Sequence, residues 1–548
     1  MKFEVCVLAR AVAGAALAGV LAVPALAGIV PNNAVVTTGD GTATVAAPQL
    51  AITIGGASAT DKALGNLVRS LCVDANADGV PDDLTTFRNG TSGNNYQGYY
   101  CTIDAAQVTG LSGNLRTLIR KRSKDGSGTG ALPVCTATAQ AFMKIDSNCT
   151  YSGSLVNGVP MYNCSDGGAT DTESIPQTNA GITDVAPGEL FGLASTACDV
   201  IRSIYGADMS IIATTSLRNA LQCAQGKTVG SELAADVPTL SKALISSIQT
   251  GVTQNWSQVT FNGLPLTDAT RLTGCGLTAP ASTRATYLRR EPTSGTFAAN
   301  ELRINSVDNG NGECGSGNFG SRTFPGVPGT GPIVPPLQAG SGDIDTAMNT
   351  LNSGGSFAQL NGGVCDGSAA ATPPFWFTGT CTSYNTLITT VNAQKSTWAI
   401  SHQTTERNGN NGAENTNQYR TIAIDGVVPT LNNVAAGKHD FWVESHGQYL
   451  TSNLSADQKA VVDQLFTNAK SATEIAAANS LNTGSIHSWG QGGIFAIKNT
   501  GSTCTTSTFN ATTNPCSAFT RARGGSSTPN CSEASVQPAG SVIAPISP

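Results

Sequence analysis

Strand-forming runs alternate with glycine-rich turns and helix-forming segments along this chain, and this alternation is the feature that most restricts its fold. Leu50–Ile54 is a short strand-like run, residues 55–61 form a glycine-containing turn, and Lys62–Leu71 has apolar residues at helical spacing. Ser210–Thr214 and Leu217–Ala224 repeat the order of strand and helix. Alternating signals of this kind predict an α/β architecture with a mainly parallel sheet.

The alternation breaks down in the second half of the chain and then returns. Phe297–Gln394 is rich in glycine, asparagine and proline, which indicates an insertion or a linker. Periodic segments resume at Trp398, and a helix is predicted from the N-cap Ser455 to Ala469. From Gly501 onward the chain is rich in serine, threonine and proline, and we expect poor order there apart from disulfide anchors.

Length and charge narrow the class of protein. A chain of 548 residues is too long for one hydrophobic core, which predicts about two to four domains. The formal net charge is −6, and charged residues make up only 12% of the chain. This balance gives no general attraction to nucleic acid or to an anionic membrane, so we expect no nucleic-acid partner.

The N-terminus has the features of an export signal. Basic residues precede the apolar run Ala11–Ala22, and Ala25–Ala27 has the small-residue pattern of a cleavage site. The apolar run is too short for a good membrane span. We therefore predict a signal peptide over residues 1–27, an N-terminal leader over residues 28–50, and a periplasmic or secreted mature protein.

The cysteine content agrees with export. Of the 15 cysteines, Cys6 lies in the signal peptide, which leaves fourteen in the mature chain. An even number in an oxidising compartment favours disulfides, and without a Cys-x-x-Cys pair there is no support for a zinc ribbon or a thioredoxin-like site. Many cysteines flank inserted loops, although the sequence leaves their pairing open. The candidate partners are Cys72 with Cys101, Cys135 with Cys149 or Cys164, Cys275 with Cys314, Cys365 with Cys381, and Cys504 with Cys516 or Cys531.

The segment from Arg290 to Thr296 has the composition of an anion-binding loop. Ser294 or Thr296 can cap the start of a helix that continues through Phe297, and Gly295 lets a ligand approach the backbone closely. The guanidinium of Arg290 offers a planar set of donors suited to phosphate or carboxylate. The alternative is an ordinary capped helix in a chain that is rich in serine, threonine and glycine.

Three loops together resemble those of the periplasmic phosphate-binding proteins that serve ABC transporters. Gly56–Thr60 resembles the first loop of that family, Gly181–Asp184 resembles its strand-end aspartate, and Arg290–Thr296 is similar to its Arg-x-x-Gly-Ser-Gly-Thr loop. The three loops also follow one another in the order found in the family. Two positions depart from the pattern, because Thr293 stands where the family usually has glycine and Asp61 stands where an aromatic residue is common.

The resemblance implies a two-lobed periplasmic-binding-protein fold of type II, in which the chain crosses a hinge more than once. Val237–Trp256 resembles the helix-to-tryptophan segment that precedes the arginine loop in the family, and Gly437–Trp442 resembles the late strand near the hinge. The implied limits are 51–208 and 400–500 for lobe one, 209–399 for lobe two, and 501–548 for the tail. Inserted loops are expected at residues 72–101, 135–164 and about 275–381.

The resemblance also implies a ligand and the residues that bind it. Phosphate would be held between the lobes by hydrogen bonds, with no metal, cofactor or catalytic residue. Such a protein is expected to be a monomer that delivers phosphate to an ABC permease of the inner membrane or scavenges it. The implied contacts are Ala59, Thr60, Ser127 and Asp184 from one lobe and Arg290, Ser294, Gly295 and Thr296 from the other.

Asp184 is the residue that would discriminate between anions. A carboxylate beside a bound anion is repulsive unless the anion carries a proton, as phosphate does near neutral pH and sulfate does not. The local sequence alone is also compatible with an ordinary turn or helix-cap carboxylate. Ser127 likewise lies in a glycine-rich turn that is equally compatible with a solvated hairpin.

Asp74–Asp82 resembles a calcium-binding loop. Oxygen-bearing side chains alternate along it, and Gly79 occupies the sixth position, where a tight wrap around a hard cation needs glycine. Thr85 stands at the twelfth position, where a bidentate acid is expected. The alternative is a plain turn of aspartate, asparagine and glycine.

An enzymatic function is the poorest match to this sequence. The chain contains no nucleophile elbow, no His-Glu-x-x-His motif and no Walker loop. His439 and His446 flank an apolar run and are interpreted as surface residues at strand ends rather than as metal ligands. The rival to phosphate binding is a secreted or cell-surface interaction protein, built on the same fold, that has lost or changed its ligand.

Overall fold

The computed structural model describes most of the chain between residues 47 and 536. No helix among the described residues is long and apolar enough to cross a membrane. The predicted signal peptide lies outside them, as do parts of the leader, the inserted loops and the tail. The described residues are 36–38, 41–43, 47–89, 95–146, 148–165, 171–190, 198–290, 293–306, 340–355, 380–383, 385–386, 389, 395–497, 504–521, 529–531 and 534–536.

The helices are short, and several begin at a serine that caps the first turn. Ser455 is an N-cap, as predicted, and its hydroxyl accepts a hydrogen bond from the amide of Gln458 at 3.2 Å. The helices with fully described bounds are α1 Asp61–Arg69, α2 Gly128–Cys135, α3 Thr215–Ala224, α4 Lys242–Thr250, α5 Ala269–Gly274, α6 Gly295–Arg303, α7 Ser341–Asn352, α8 Leu431–Ala435, α9 Ala456–Asn468 and α10 Ala472–Leu481.

Fifteen of the described strands belong to one sheet, and the others form two-stranded ribbons. The strands are β1 Val36–Thr38, β2 Gly41–Ala43, β3 Leu50–Gly56, β4 Thr85–Asn89, β5 Tyr96–Ile103, β6 Leu115–Arg122, β7 Gln140–Met143, β8 Cys149–Val156, β9 Val159–Cys164, β10 Thr172–Ile175, β11 Ala180–Thr183, β12 Val200–Thr214, β13 Thr239–Leu240, β14 Thr260–Phe261, β15 Leu264–Pro265, β16 Thr286–Tyr287, β17 Ala399–Thr404, β18 Tyr419–Ile424, β19 Trp442–Tyr449, β20 Ile486–His487, β21 Gly490–Gln491, β22 Ile494–Ile497, β23 Cys516–Ser517, β24 Phe519–Thr520 and β25 Ser535–Val536.

The large sheet confirms the predicted α/β class. Its main path runs β13-β18-β12-β19-β11-β3-β6-β5-β4-β9-β8. β3 pairs in parallel with both β6 and β11, so the carboxyl ends of these strands lie at one edge, where the loops that follow them meet. β12 and β19 pair antiparallel beside this parallel group.

β12 joins the two parts of the sheet. Its residues Val200–Asp208 pair with β19, and its residues Met209–Ala213 pair with β17. β11, β3 and β6 lie on one side of this change of partner, and β16, β17 and β18 lie on the other. The limits of the two predicted lobes remain a prediction.

The main hydrophobic core lies between the sheet and the helices that cover it. α1 buries Leu64, Leu67 and Val68 on one face, and β3 buries Ile52 and Ile54. A fully buried side chain of this size contributes roughly 1.5–3 kcal/mol through the hydrophobic effect. This packing fixes the start of α1 relative to the carboxyl end of β3, which is where the candidate site lies.

The disulfides correct part of the predicted pairing. Cys72–Cys101 is confirmed, whereas the partners proposed for Cys135 and Cys275 are wrong. The sequence pattern of cysteines that flank a loop does not reveal these partners, because both bonds join cysteines more than 50 residues apart. The other bonds among the described residues are Cys135–Cys198, Cys149–Cys164, Cys223–Cys275 and Cys504–Cys516.

Two segments contain more structure than the sequence indicates. α6 and α7 both fall within Phe297–Gln394 or at its edge, and α7 packs against β12, β17 and β18. α7 buries Ile344, Met348 and Leu351, which explains why a segment between glycine-rich stretches forms a helix. The interpretation of the whole segment as insertion or linker is therefore wrong at residues 341–352.

The C-terminal tail also packs against the protein where it is described. Arg521 donates through Nε to the carbonyl oxygen of Trp442 at 3.1 Å. The amide of Asn530 donates to Glu189 Oε1 at 2.6 Å, and Asn530 Oδ1 accepts from the amide of Glu444 at 2.6 Å. These buried polar contacts correct the expectation of poor order for residues 504–521 and 529–531.

The two histidines near β19 are buried, so their interpretation as surface residues is wrong. His439 Nε2 lies 3.0 Å from the carbonyl oxygen of Met209 and 3.3 Å from Asp208 Oδ1. His446 Nε2 lies 3.2 Å from Ser203 Oγ. Both side chains contact β12, so they connect this strand to the segments that carry them.

Candidate anion-binding site

The first loop of the site begins where β3 ends. Gly56 has a φ of +115°, and a Cβ atom on it would lie 1.9 Å from the carbonyl oxygen of Ile182, so only glycine fits. The amide of Ala57 donates to the same oxygen at 2.8 Å. A 3-10 turn over Ser58–Thr60 then leads into α1. The first amides of this turn and of α1 therefore lie at this end of the sheet.

Asp184 follows the neighbouring strand β11 and is held by the start of α2. Its side chain is buried, its amide donates to Ser127 Oγ at 3.1 Å, and Ser127 Oγ donates to Asp184 Oδ2 at 3.2 Å. Ser127 is the N-cap of α2 and is fully buried. The structure thus brings these two predicted residues into direct contact.

The arginine loop supplies the opposite wall of the site. Ser294 is the N-cap of α6, and its hydroxyl accepts a hydrogen bond from the amide of Phe297 at 3.4 Å. Thr296 Oγ1 lies 2.8 Å from Ser294 Oγ and accepts from Arg290 Nη1 at 3.1 Å. Arg290, Ser294 and Thr296 are each only 1% exposed, so their polar groups face one another inside the protein.

The two walls touch at the first residue of α6. A Cβ atom on Gly295 would lie 2.2 Å from Ser127 Oγ and 2.8 Å from Asp184 Oδ2. The amide of Gly128 donates to the carbonyl oxygen of Thr293 at 2.8 Å, which adds a backbone contact between the walls. Asp184 and the arginine loop therefore lie against each other, and the close approach requires glycine at position 295.

Ser341 is a residue of this site that the sequence analysis missed. It is the first residue of α7 and is 1% exposed. Its hydroxyl accepts from Arg290 Nη1 at 3.0 Å and lies 3.1 Å from Ser58 Oγ. Starts of helical turns at Ser58, Ser127, Ser294 and Ser341 thus converge on the site. Converging helix starts present amides and positive dipole ends to an anion.

The local sequence carries a signal for the helix that begins at Ser341. The carboxylate of Asp343 accepts from the amide of Gly340 at 2.7 Å, as in a capping box, and Ile344 and Met348 follow at helical spacing. This pattern identifies a helix start but not its position in the fold. Only the packing of α7 on β12, β17 and β18 brings Ser341 to the arginine.

The electrostatics of the site centre on Asp184. Burial raises the pKa of its carboxyl to about 6, while Arg290, the bond from Ser127 and the Lys121 charge act in the opposite direction. Its Oδ1 is buried and accepts no hydrogen bond from any residue that the structure describes. A buried acceptor without a donor is costly, so this atom suits a ligand that brings its own proton.

Lys121 fixes the first loop from inside the protein. Its fully buried ammonium donates to the carbonyl oxygens of Gly56 at 2.7 Å and Ala57 at 3.0 Å, and to Ser123 Oγ at 2.9 Å. Asp61 Oδ1 lies 3.4 Å from Lys121 Nζ and accepts a hydrogen bond from Ser123. Asp61, which departs from the family pattern, therefore balances a buried positive charge.

The other two predicted ligand contacts, Ala59 and Thr60, belong to the first loop. Ala59 is 3% exposed within the 3-10 turn, and the side chain of Thr60 lies outside the described part of the chain. Among the described side chains of the first loop, Ser58 contacts the site through its hydroxyl, which lies 3.1 Å from Ser341 Oγ. Thr293, which also departs from the family pattern, donates through Oγ1 to the carbonyl oxygen of Asp125 at 3.4 Å and so adds a contact between the walls.

The described residues contain no group of three or more histidine, cysteine, aspartate or glutamate side chains that could hold a metal ion. In the loop that resembles a calcium site, Asp74 Oδ2 accepts from the amide of Gly79 at 2.8 Å, and Asp82 Oδ2 accepts from the amide of Ala75 at 3.0 Å. These bonds are those of a plain turn. Calcium binding by this loop stays a prediction.

The sequence matches no protein-family model and no curated protein. Several solved structures are similar to it. One of them is a chain from Clostridium perfringens, described as a candidate phosphate ABC transporter substrate-binding protein with bound phosphate. It has 10% sequence identity and a TM-score of 0.35, and the alignment covers 79% of this chain and 98% of that one.

Two further structures are similar at comparable levels. PstS from Borrelia burgdorferi has 10% identity and a TM-score of 0.28, with 82% of this chain and all of that chain (100%) covered. An ABC-type phosphate transport receptor from Vibrio cholerae has 12% identity and a TM-score of 0.26, with 53% and 73% covered. At these values the likeness carries no argument about the ligand, which has to be inferred from the residues of this chain.

Proposed function

We propose that this protein binds one inorganic phosphate ion between the Ser127–Asp184 wall and the Arg290–Thr296 loop. The observation that carries the proposal is Asp184 Oδ1, a buried acceptor with no donor among the described residues, in a site that also contains a guanidinium and helix starts. The guanidinium and helix starts attract an anion, and the carboxylate requires that the anion carry a proton. Phosphate near neutral pH meets both requirements.

Uncharged donors supply most of the proposed binding energy. The candidates are the first amides of α6 and α7 and the hydroxyls of Ser58, Ser294, Thr296 and Ser341. Each hydrogen bond contributes a net of about 0.5–1.5 kcal/mol, so roughly six to ten of them offset the ordering cost and give roughly micromolar affinity. Ser294 and Thr296 bond each other at 2.8 Å, and in the complex they would exchange that bond for the ligand.

The proposed setting is the periplasm or the exterior of the cell. Disulfides such as Cys72–Cys101 and Cys223–Cys275 persist in oxidising compartments, which supports this setting. A phosphate-binding protein located there delivers its ligand to an ABC permease or scavenges it. The proposal requires no enzymatic step.

Isothermal titration calorimetry of the purified mature chain tests the proposal. We expect one phosphate per chain with roughly micromolar affinity and at least about tenfold weaker binding of sulfate. Arg290→Ala should bind phosphate much more weakly, whereas Lys438→Ala, which removes an exposed cation, should bind as the wild type does. Equal affinity for sulfate would refute the phosphate assignment. No heat with phosphate, sulfate or molybdate would favour the rival function as an interaction protein.

A further inference from the structure

A cavity lies beside α1, away from the candidate anion-binding site. Its volume is about 350 Å³, and it is bounded by α1, by β4, β5 and β9, and by residues 481–483. We call it the α1 cavity. Its lining does not include Ser127, Asp184, Arg290 or Ser294, so a ligand in it would not contact these residues of the proposed phosphate site.

One wall of the α1 cavity is apolar and closely packed. A Cβ atom on Gly65 of α1 would lie 3.0 Å from Tyr99 Cε1, so the helix approaches the tyrosine ring closely at this position. Glycine inside a helix costs about 1 kcal/mol of stability relative to alanine. The close approach to the ring explains why glycine nevertheless occupies this position. The buried side chains on this face of the sheet are Leu84, Tyr99, Val159 and Met161, whereas the ring of Phe87 stacks on Tyr162 on the other face.

The lining of the α1 cavity also includes Lys62, Arg69 and Arg88. Arg69 Nη1 donates to the carbonyl oxygen of Asn157 at 2.7 Å, and Arg88 Nε donates to Asn163 Oδ1 at 3.1 Å. These bonds fix both guanidinium groups in place. A guanidinium has five N–H donors, so Arg88 retains further donors for an anion.

The lining itself contains little negative charge, although Asp74 and Asp78 act on Arg69 and Asp345 acts on Lys62 from outside it. Asp61 is the only carboxylate among the lining residues, and its Oδ1 accepts from Ser123 and lies 3.4 Å from Lys121 Nζ. Glu406, whose backbone carbonyl accepts from Lys62 at 3.4 Å, has a side-chain pKa that burial raises to about 8. Burial also lowers the pKa of Lys62, so the positive charge of the lining rests mainly on Arg69 and Arg88. The cavity thus combines an apolar wall with an excess of positive charge.

We propose that the α1 cavity binds a small amphiphilic organic anion. Its aromatic or branched apolar body would lie against Tyr99 and Met161, and its carboxylate or sulfonate group would lie against Arg88 and Lys62. The volume is near the lower end of the range of about 300–1,000 Å³ found for pockets that hold small organic ligands. Inorganic phosphate has no apolar body to place on the wall, so the two sites take different ligands.

The dye 8-anilinonaphthalene-1-sulfonate is a suitable probe, because it is aromatic and anionic and its fluorescence increases in apolar surroundings. We expect saturable binding of one dye molecule per chain, with thermal unfolding that stays cooperative. Arg88→Gln should weaken dye binding at least about tenfold, because a charge-assisted hydrogen bond is lost. Thr483→Trp should also weaken it, because Thr483 is an exposed lining residue at which a large ring would obstruct the cavity. Lys62→Gln is a second charge variant in case Arg88→Gln does not fold.

The controls separate this proposal from phosphate binding. Lys438→Gln removes an exposed cation elsewhere and should bind the dye as the wild type does. Saturating phosphate should not displace the dye, so the two proposals can fail independently. Wild-type affinity in folded Arg88→Gln and Thr483→Trp would overturn the proposal, and so would unsaturable dye binding or no dye binding by the wild-type protein.

Discussion

Replacing Asp184 by asparagine is the most selective single change to the proposed phosphate site. The two side chains have the same shape, so the contact of 3.2 Å with Ser127 can be kept by an amide oxygen. The other side-chain atom changes from an acceptor to a donor. In the wild type that atom is Oδ1, which accepts no hydrogen bond from the described residues and is proposed to accept the proton of phosphate.

The size of the effect follows from the bond that is lost. A hydrogen bond to a charged group contributes about 1.5–3 kcal/mol, so phosphate should bind roughly 10- to 150-fold more weakly to Asp184→Asn. Sulfate has no proton to donate and is repelled by the wild-type carboxylate. Its affinity should stay the same or increase in the variant. The ratio of the two affinities should therefore fall by at least about tenfold.

Competition calorimetry with phosphate and sulfate near neutral pH measures this ratio directly. Asp425→Asn is a matched control, because Asp425 is exposed and has a φ of 50°, a conformation that asparagine also adopts readily. The control should keep the wild-type ratio. If Asp184→Asn unfolds at the wild-type temperature and also keeps that ratio, then Asp184 does not accept a proton from the ligand and the reasoning is refuted.

Other contacts lead to further expected outcomes. The preference for phosphate over sulfate should fall as the pH is lowered through about 6, the raised pKa of Asp184, because a protonated carboxyl can donate a hydrogen bond to sulfate. Calorimetry at a series of pH values measures the ratio of the two affinities, and a ratio that stays constant would contradict this. Gly295→Ala should lose phosphate binding, because its Cβ atom would lie 2.2 Å from Ser127 Oγ. Gly113→Ala is the control and should bind phosphate as the wild type does, because no atom lies within 4 Å of a Cβ atom added there. Phosphate binding that is retained by Gly295→Ala would count against the site. Burial raises the pKa of Glu189 from 4.5 to about 7, so its contribution to stability is complete below about pH 4.5 and is lost as the pH rises through 7. The free energy of unfolding, measured with urea, should therefore change less with pH in Glu189→Gln than in the wild type, by up to about 3 kcal/mol. Identical pH profiles of the two proteins would exclude this role for Glu189.

Much of the fold near the site could be predicted because it depends on local patterns. Leu50–Ile54 and Lys62–Leu71 were predicted as strand and helix from their periodicity, and β3 and α1 cover nearly the same residues. The residue types of the arginine loop also indicate a capped helix start, and Ser294 is the N-cap of α6. In each case the residues that determine the structure are neighbours in the sequence.

The parts that could not be predicted depend on contacts between distant residues. Ser341 reaches Arg290 only because α7 packs on the sheet, and a glycine-rich segment separates the two residues in the sequence. The bond between Cys135 and Cys198 spans 63 residues, so no loop-flanking pattern reveals it. The tail is rich in polar residues, which predicts poor order. The structure satisfies the polar groups of Asn530 by hydrogen bonds with Glu189 and Glu444, which are distant in the sequence.

The central claim is that a protonated tetrahedral anion binds between Asp184 and the arginine loop. Arsenate carries a proton near neutral pH, as phosphate does, and its anomalous X-ray scattering locates it in a crystal. We expect one arsenate peak within hydrogen-bonding distance of Asp184, Arg290 and Thr296. An ordered arsenate elsewhere in the protein, with none beside Asp184 in crystals grown at saturating concentration, would contradict the claim.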